Sequence, residues 1–353
     1  MFAQAHYPIK TIPPSKLDDY LNQGWFRTGQ TIFTCTFLHL NNEIYRAFWL
    51  RVVLDEFKND KAYNKLLKLN SKFDIRIQQA TITREKEALY TIYKKGIAFD
   101  PADSLQTLLN HDTIINIYNT LEIELYDGNK LIGVGFFDLG NTSAAGINCF
   151  YNPEYKKYSI GKYLIYQKIQ YCKNIGMQFF YLGYFGPGCK PFDYKLDIAK
   201  NALEYFDLPT QSWFNIKSWS SYFGSINETI EKLADLKKHL DNYTIENNIL
   251  NYQNFQANII PSLHGMEFFD YFQFIYCFNF DTAGLNLVIV YDFRDNKYHL
   301  LYCVSLGIFE DANDQPDFSK YILKIKAEIF STTVASEMAE VIVRAFPNGL
   351  KSN

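Results

Sequence analysis

The sequence predicts an α+β protein, and three observations support this class. The predicted strands Thr120–Tyr126 and Lys130–Asp138 are joined by the turn residues Asp127–Gly128–Asn129, and a third strand, Gly146–Tyr151, follows. An amphipathic segment over residues 159–174 predicts a helix that follows these strands. A later run of strands between residues 268 and 308 also precedes a helical pattern. Strands and helices that cluster separately along the chain favour the α+β class.

The first 110 residues predict an N-terminal α/β lobe. Two β-rich runs form a hairpin around Asn41–Asn42, and these are Thr31–Phe37 and Ile44–Leu54. The first predicted helix ends before Gly24, a common stop residue, and the third begins with a Thr cap. The three predicted helices cover Asp18–Gln23, Asp60–Leu69 and Thr83–Lys95.

Residues 111–210 have the clearest pattern and predict a second domain with an α+β order. The amphipathic helix Ser159–Asn174 places apolar side chains on one side and lysines on the other, and it ends before Gly176. The predicted strands are Thr120–Tyr126, Lys130–Asp138, Gly146–Tyr151 and Phe179–Tyr184.

Residues 211–353 predict an additional α+β domain of unknown role. It has an exposed helix over Asn227–Leu240 and a long helix within Phe318–Phe346. A meander of three strands lies between them, over Phe268–Phe280, Leu285–Asp292 and Lys297–Ile308. The sequence thus predicts three domains, 1–110, 111–210 and 211–353.

Composition excludes several classes of protein. Hydrophobic residues make up 48% of the chain and aromatic residues 17%, which is incompatible with a disordered chain. The six cysteines show no close pair of the kind that disulfide scaffolds or zinc ribbons require. Neither a signal peptide nor a membrane-spanning apolar run is recognisable. We therefore expect a cytoplasmic protein that does not enter a membrane.

The charge is distributed unevenly along the chain. Residues 1–200 carry 24 Lys and Arg against 19 Asp and Glu, whereas residues 201–353 carry 11 against 19. A polyanion such as RNA would therefore bind the first part of the chain in preference to the last.

One segment combines the residue types of a binding site. Between Phe179 and Lys195 a predicted strand runs into a loop with three glycines, and Tyr194 and Lys195 follow. Glycines let backbone approach a ligand or adopt positive φ, and the tyrosines and the lysine offer donors. The alternative is that the segment is only a tight strand-to-loop crossing filled with aromatic side chains, and not a binding site. The motifs GxSxG, HExxH, Walker A and GxGxxG do not occur, and we predict no metal site.

This segment resembles the signature of the aminoacyl-tRNA–protein transferases, the arginyl- and leucyl-transferases of the N-degron pathway. The family reads Tyr-Leu-Gly-Tyr, a spacer, then Cys-Pro-Lys-Met-x-Tyr-Lys. The matching positions here are Tyr181, Leu182, Gly183, Tyr184, Cys189, Tyr194 and Lys195. Further resemblance lies in Phe150–Glu154, Ser159–Gly161, Leu131–Gly135 with Asp138, Gly24–Arg27 and Leu50–Val52.

The resemblance implies a GNAT-like acyltransferase core, in which central strands splay to admit an acyl donor, and aminolysis of an aminoacyl-tRNA ester. It implies Tyr184 and Tyr194 as hydroxyl donors near the ester, Lys195 as a charge for ribose, phosphate or oxyanion, and Asp138 for orienting an amine. The implied substrate-binding residues are Arg27, Arg51, Tyr151, Ser159, Gly161, Tyr181, Gly183 and Cys189. Lysines of the helical region, Lys156, Lys157, Lys162 and Lys168, are predicted to contact tRNA phosphates.

Three activities stay open at this point. The first is transfer of an amino acid, Arg or Leu, from charged tRNA to an amine of a protein or peptide, with no cofactor besides this co-substrate. The second is an acyl-CoA-dependent acyltransferase, although Tyr163 replaces the second glycine of a pyrophosphate-binding turn. The third is a non-catalytic scaffold, since the family's N-terminal cysteine pair is represented only by Cys35. The oligomeric state is not predicted.

Overall fold

The chain forms two compact units in a computed structural model. The model describes residues 2–40, 43–97, 101–111, 113, 115–208, 210–219, 225–243, 245–263, 265–277, 285–308, 316–319 and 321–345. The larger unit contains His6–Thr34 and Ala47–Trp219, and the smaller unit contains Met1–Ala5, Cys35–Arg46 and Ser220–Asn353. The sequence predicts three domains instead, and that division stays a prediction.

The described residues contain helices and strands in mixed order. The helices are α1 Pro14–Asn22, α2 Lys61–Asn70, α3 Arg84–Lys94, α4 Leu105–Asn110, α5 Ile160–Asn174, α6 Ser225–Asn242 and α7 Ala335–Ala345. The strands are β1 Ala3–His6, β2 Phe26–Thr28, β3 Thr31–Cys35, β4 Phe37–Leu40, β5 Glu43–Arg46, β6 Phe48–Val53, β7 Asp74–Gln79, β8 Thr120–Asp127, β9 Lys130–Leu139, β10 Ser143–Tyr151, β11 Phe179–Phe185, β12 Leu203–Asp207, β13 Ser212–Asn215, β14 Asn247–Asn251, β15 Gln273–Cys277, β16 Leu285–Asp292, β17 Lys297–Ile308 and β18 Tyr321–Thr332.

An eight-stranded sheet organises the larger unit. Its strand order is β13-β12-β6-β11-β10-β9-β8-β7. Neighbouring strands are antiparallel except β10 and β11, which are parallel and are connected through α5. Strand β6 comes from the first predicted segment and lies between β11 and β12, so residues 1–110 and 111–210 share one sheet.

Helices pack on this sheet in two apolar clusters. One cluster joins α3 and α4 to β9 and β10, through side chains such as Leu89, Leu105 and Phe136. The other joins α5 to β8 and β9, through side chains such as Leu164, Ile123 and Ile132. Because successive side chains of a strand point to opposite faces, both faces of the sheet are buried. The α+β class is confirmed.

The predictions for residues 60–95 and 120–185 are confirmed closely. Helix α2 begins after Asp60 and α3 after Thr83, and both side chains accept a hydrogen bond from the first turn. Strand β7 and helix α4 were not predicted. The residues of β7, Asp74–Gln79, are partly or fully exposed and largely polar, so the hydrophobic signal of a strand is weak there.

The predicted strand Ile44–Leu54 is wrong as a single element. It divides into β5 and β6 at Ala47, and the two strands belong to different units. Strand β5 pairs with β4, where Leu40 faces Glu43 as expected for a hairpin. The predicted turn residues, Asn41–Asn42, lie outside the described residues.

The smaller unit has its own sheet and core. Strands β14 to β18 pair in sequence order, and the strand pairs are antiparallel. The helix expected over Asn227–Leu240 is present as α6, but its expected exposure is wrong, because Leu233, Leu236 and Leu240 are completely buried in this core. The expected long helix is also wrong over Tyr321–Thr332, which pairs with β17 as β18. Only α7, residues Ala335–Ala345, is helical there.

None of the described helices combines the length and the apolar character that crossing a membrane requires.

Candidate functional site

The central strands β10 and β11 separate in the middle of the sheet. They pair only between Ser143–Ala145 and Phe179–Tyr181, and no further pair joins them in the described chain. Each strand is irregular where the pairing ends, next to Gly146 in β10 and next to Gly183 in β11. Bulges of this kind bend a strand and re-aim its side chains. A gap therefore opens between the two strands, as the resemblance to an acyltransferase core implies.

Gly183 lies at the end of the shared pairing and needs to be a glycine. Its φ is +78°, which L side chains rarely adopt, and a Cβ there would lie 3.5 Å from Lys195 Nζ. Tyr184 follows it and packs edge-on against Trp49, with ring centroids 5.5 Å apart. The bulge thus places an aromatic ring and a bare backbone beside the gap.

The segment after β11 returns to this gap and brings Lys195 to it. Residues Lys190–Asp197 form a 3-10 helix. The Lys195 ammonium donates a 2.6 Å hydrogen bond to the Tyr184 carbonyl oxygen. It also lies 5.2 Å from the Tyr184 ring centroid and 5.1 Å from the Phe192 ring centroid, within the range of cation–π attraction.

A second lysine, Lys168, binds the backbone of β9 and β10 and acts electrostatically on Lys195. It comes from α5, and its side chain is buried. Its ammonium donates to the carbonyl oxygens of Phe136, at 3.3 Å, and Asn148, at 3.4 Å. Burial and the charge of Lys168 lower the pKa of Lys195 to about 7. At neutral pH the Lys195 side chain therefore exists in both charged and neutral forms.

Tyr194 directs its hydroxyl group into protein surroundings. Although the residue is 37% exposed, burial of the hydroxyl raises its pKa, and Cys149, Tyr93 and Tyr184 raise it further. The phenol therefore stays protonated at neutral pH and can donate a hydrogen bond to a developing negative charge.

Tyr151 and Gly161 border the same region. The Tyr151 ring centroid lies 5.5 Å from that of Tyr93, one of the neighbours of Tyr194. A Cβ at Gly161 would lie 3.4 Å from the Tyr151 ring. Ser159, at the start of α5, is exposed and has a positive φ of 52°. The structure thus places Tyr151 beside Tyr93, and Gly161 beside Tyr151.

Arg27 and Asp138 form a separate, buried ion pair. Their side chains are 2% and 1% exposed, and Arg27 Nη1 lies 2.8 Å from Asp138 Oδ1. Arg27 also donates to Thr120 and to the carbonyl oxygens of Gly29 and Leu109. Burial raises the pKa of Asp138, although Arg27 and a 2.6 Å hydrogen bond from Thr120 oppose this. Asp138 Oδ2 is buried and has no hydrogen-bond partner among the described residues, and the assignment of Arg27 and Asp138 to the site stays a prediction.

Arg51 and Tyr181 form another buried cluster. Arg51 donates to Glu204, at 2.7 Å, and to Asn22, at 3.0 Å. Its guanidinium lies 4.3 Å from the Trp213 ring centroid, and the Tyr181 ring packs on the same tryptophan at 5.5 Å. Burial raises the pKa of Tyr181 to about 12. Their assignment to substrate binding stays a prediction.

Cys189 is buried at the start of the 3-10 helix. Its backbone N–H donates a 3.0 Å hydrogen bond to the Gly186 carbonyl oxygen and closes the glycine-rich turn. This position keeps Cys189 in the loop that carries Tyr194 and Lys195.

The lysines predicted to contact tRNA differ in exposure. Lys156 and Lys157 are exposed on the 3-10 helix Pro153–Tyr158. Lys162 lies 3.1 Å from Asp197 in a solvent-accessible ion pair. The assignment of Lys168 to tRNA is wrong, because its side chain is buried under β9 and β10 rather than exposed.

Two residues of the site were not predicted, Lys168 as a buried cation and Tyr93. A sequence signal for Lys168 exists, because Ile160, Leu164 and Lys168 follow one another at intervals of four residues. Such spacing places Lys168 on the apolar face of α5. Tyr93 lies in α3, and no signal in the sequence connects it with Tyr194.

A model of a known protein family matches the region that contains this site. Residues 85–204 match the family model described as arginine-tRNA-protein transferase, C terminus. The chain is 34% identical over 197 residues to aspartate/glutamate leucyltransferase from Leptospira interrogans, covering 54% of the chain and 75% of the relative. It is 26% identical over 228 residues to the protein of the same name from Helicobacter hepaticus, covering 60% and 90%.

A GCN5-related N-acetyltransferase from Anabaena variabilis also matches in structure. The match covers 82% of this chain and 58% of the other chain, with a TM-score of 0.29 and 9% identity.

The family model and the two relatives agree on the kind of enzyme, an aminoacyltransferase. The family model spans the elements from α3 to β12, which include the diverging strands and the loop that carries Tyr194 and Lys195. This agreement selects the first of the three activities that the sequence left open. The chain belongs to the aminoacyl-tRNA–protein transferase family, whose members transfer an amino acid from charged tRNA to a protein.

Proposed function

We propose that this chain transfers leucine from leucyl-tRNA to the amino group of a protein that begins with Asp or Glu. The relatives from Leptospira interrogans and Helicobacter hepaticus carry this activity in their names. The observation that carries the proposal is the pair of lysines, Lys168 and Lys195, at the gap between β10 and β11. An arginyl side chain would bring a further cation to these two, whereas a leucyl side chain is uncharged, and the α-amino group is common to both donors. The aromatic rings of Tyr184 and Phe192 beside Lys195 suit an apolar donor side chain.

The proposed reaction is aminolysis of the aminoacyl ester. The acceptor nitrogen forms a bond to the ester carbonyl carbon, the carbon–oxygen bond to the ribose breaks, and the amine proton ends on the ribose oxygen. Such an ester is already reactive, so positioning of the two substrates supplies about 7–11 kcal/mol of the acceleration. The hydroxyl groups of Tyr184 and Tyr194 are proposed donors to the carbonyl oxygen as it becomes negative.

A transfer assay tests the donor and the acceptor together. The purified full chain receives tRNA charged with labelled leucine or labelled arginine, and peptides that begin with Asp, Glu, Asn, Gln or Lys. We expect label to pass from leucyl-tRNA to the Asp and Glu peptides. Transfer from arginyl-tRNA alone would replace leucine by arginine as the donor. Absence of transfer from either tRNA would contradict the proposed function.

Replacing Tyr194 by Phe is expected to slow this transfer about tenfold or more, because it removes one hydrogen-bond donor near the ester. Single-turnover rates with saturating tRNA measure the effect. Tyr243→Phe is the matched control, since Tyr243 is exposed to a similar degree, 38%, and lies in the smaller unit. Equal rates for Tyr194→Phe and the control would remove Tyr194 from the proposed site.

We propose that Lys156 and Lys157 contact tRNA phosphates near the start of α5. Replacing both by Ala should weaken tRNA binding and lower the slope of log Kd against log salt by about one to two. Binding measured over a range of KCl concentrations gives this slope. Lys16→Ala, which removes an exposed lysine of the same unit, serves as the control. An unchanged slope in the double variant would show that the RNA lies elsewhere. Because charged tRNA is the donor, we place the protein in the cytoplasm.

A further inference from the structure

Two lysine ammonium groups bind backbone carbonyl oxygens of the strands around the gap, and the described hydrogen bonds give neither of them a carboxylate. The described hydrogen-bond partners of Lys168 are the carbonyl oxygens of Phe136 and Asn148, and that of Lys195 is the carbonyl oxygen of Tyr184. Carbonyl oxygens are neutral, so these bonds orient the two ammonium groups but leave their charge uncompensated. Buried charges in proteins are normally paired with an opposite charge.

The same unit shows what a compensated buried lysine looks like. Lys86, also 2% exposed, lies 2.6 Å from Glu122 and 2.9 Å from Glu124. Lys168 is equally buried, and its described hydrogen bonds reach only neutral carbonyl oxygens. The contrast indicates that a ligand supplies the missing negative charge at the gap.

Glycine lies next to each of the two ammonium groups. A Cβ at Gly146 would lie 3.5 Å from Lys168 Nζ, and a Cβ at Gly183 would lie 3.5 Å from Lys195 Nζ. These glycines mark the points where β10 and β11 stop pairing with each other. A Cβ at Gly146 would also lie 3.2 Å from the Phe180 ring, and a Cβ at Gly183 would lie 3.5 Å from the Phe26 ring, so both ammonium groups lie beside aromatic rings where the strands diverge.

We propose, on the basis of the function proposed above, that Lys168 and Lys195 together bind the side-chain carboxylate of an acidic residue at the N-terminus of the acceptor. In such a residue the carboxylate is separated from the reacting amine by a few carbon atoms, so binding it places the amine beside Tyr184 and Tyr194. A carboxylate is planar and small, and two ammonium groups satisfy its two oxygens. The pair would thus select the acceptor and position it for attack.

An RNA phosphate suits this position less well. A backbone phosphate is flanked by ribose on both sides, whereas Lys168 is only 2% exposed. Exposed lysines such as Lys156 and Lys157 are accessible to a polymer. The described surroundings therefore favour the acceptor carboxylate over the donor phosphate.

Direct binding without tRNA tests this inference separately from catalysis. Calorimetry measures the Kd of the full chain for two peptides that differ only in Asp or Asn at the first position. We expect the wild type to prefer the Asp peptide about 10- to 100-fold. Lys168→Met should bring this ratio close to one, Lys168→Arg should retain part of it, and Lys130→Met, which removes an exposed charge, should leave it unchanged.

The ratio of two affinities within one variant does not depend on how much of the protein is folded, so a loss of stability in Lys168→Met does not imitate the expected result. Equal binding of both peptides by the wild type would overturn the inference. A preserved ratio in Lys168→Met, or a loss of tRNA affinity with the peptide ratio intact, would overturn it as well. Asp-selective binding without amino acid transfer would instead contradict the proposed function and leave the carboxylate site in place.

Discussion

Replacing Lys195 by Met is expected to lower kcat/KM for amino acid transfer by about 10²- to 10³-fold, the loss typical of removing one donor to a developing charge in an active site. Methionine keeps the length and apolar character of the side chain but removes the ammonium that binds Tyr184 and faces Lys168. Steady-state kinetics with charged tRNA and an Asp peptide measure the change. Lys200→Met removes a neighbouring exposed charge and should retain activity.

Whether the Lys195→Met substitution changes kcat or KM distinguishes two roles for Lys195. A fall in kcat would mean that the ammonium acts on the reacting ester oxygen. A rise in KM for the acidic peptide alone would mean that it binds the acceptor carboxylate. Activity equal to that of Lys200→Met would remove Lys195 from both roles.

The pH dependence of the rate gives an independent readout. The pKa of Lys195 is lowered to about 7, so its charged form is lost as the pH rises through that value. An acceptor α-amino group becomes neutral and reactive above about pH 8. We therefore expect kcat/KM to pass through a maximum between these values, and the alkaline decline to disappear in Lys195→Met. Lys168, Tyr184 and Tyr194 are the titratable groups around Lys195, and both tyrosines ordinarily titrate at much higher pH.

Local pattern accounts for the parts of the fold that were predicted. The turn at Asp127–Gly128–Asn129 lies between two β-rich runs and fixes how β8 and β9 pair, because Asp127 and Lys130 close the antiparallel ladder there. The side-chain caps Asp60 and Thr83 likewise mark the starts of α2 and α3.

Strand pairing between distant parts of the chain explains why two secondary-structure predictions were wrong. The residues Tyr321–Thr332 contain helix formers, but a long partner strand, β17, offers hydrogen bonds along nearly the whole segment. Propensity is a weak preference that such pairing overrides. The division of Ile44–Leu54 at Ala47 depends on which unit each half joins, and that information lies in distant parts of the chain.

The candidate site was predictable where its residues are close in sequence. Gly183, Tyr184, Tyr194 and Lys195 lie within one short segment, which resembles the family signature. Lys168 reaches the site from α5, and its ammonium donates to the Asn148 carbonyl oxygen beside the bulge near Gly146. Bulges follow from strand pairing in three dimensions and have no simple signature in a single sequence.

Replacing Arg27 by Met is expected to destabilise the larger unit by about 3–5 kcal/mol, because it leaves the Asp138 carboxylate buried without its counter-ion. Urea unfolding followed by tryptophan fluorescence measures this change selectively. All four tryptophans, Trp25, Trp49, Trp213 and Trp219, lie in the larger unit, so the signal does not report the smaller one.

Three further measurements distinguish an ion-pair effect from a packing effect. Lys16→Met removes an exposed ion pair with Asp19 and should change stability by less than about 1 kcal/mol. Adding Asp138→Asn to Arg27→Met should recover part of the loss, since the carboxylate is then absent.

The pKa of Asp138 is already raised by burial, and without Arg27 it should rise further, so the carboxyl group becomes neutral as the pH falls. The destabilisation should therefore shrink below that raised pKa and reach its full value above it. A loss that is independent of pH and unchanged by Asp138→Asn would mean that Arg27 stabilises the fold through its hydrogen bonds to Leu109 and Gly29 instead.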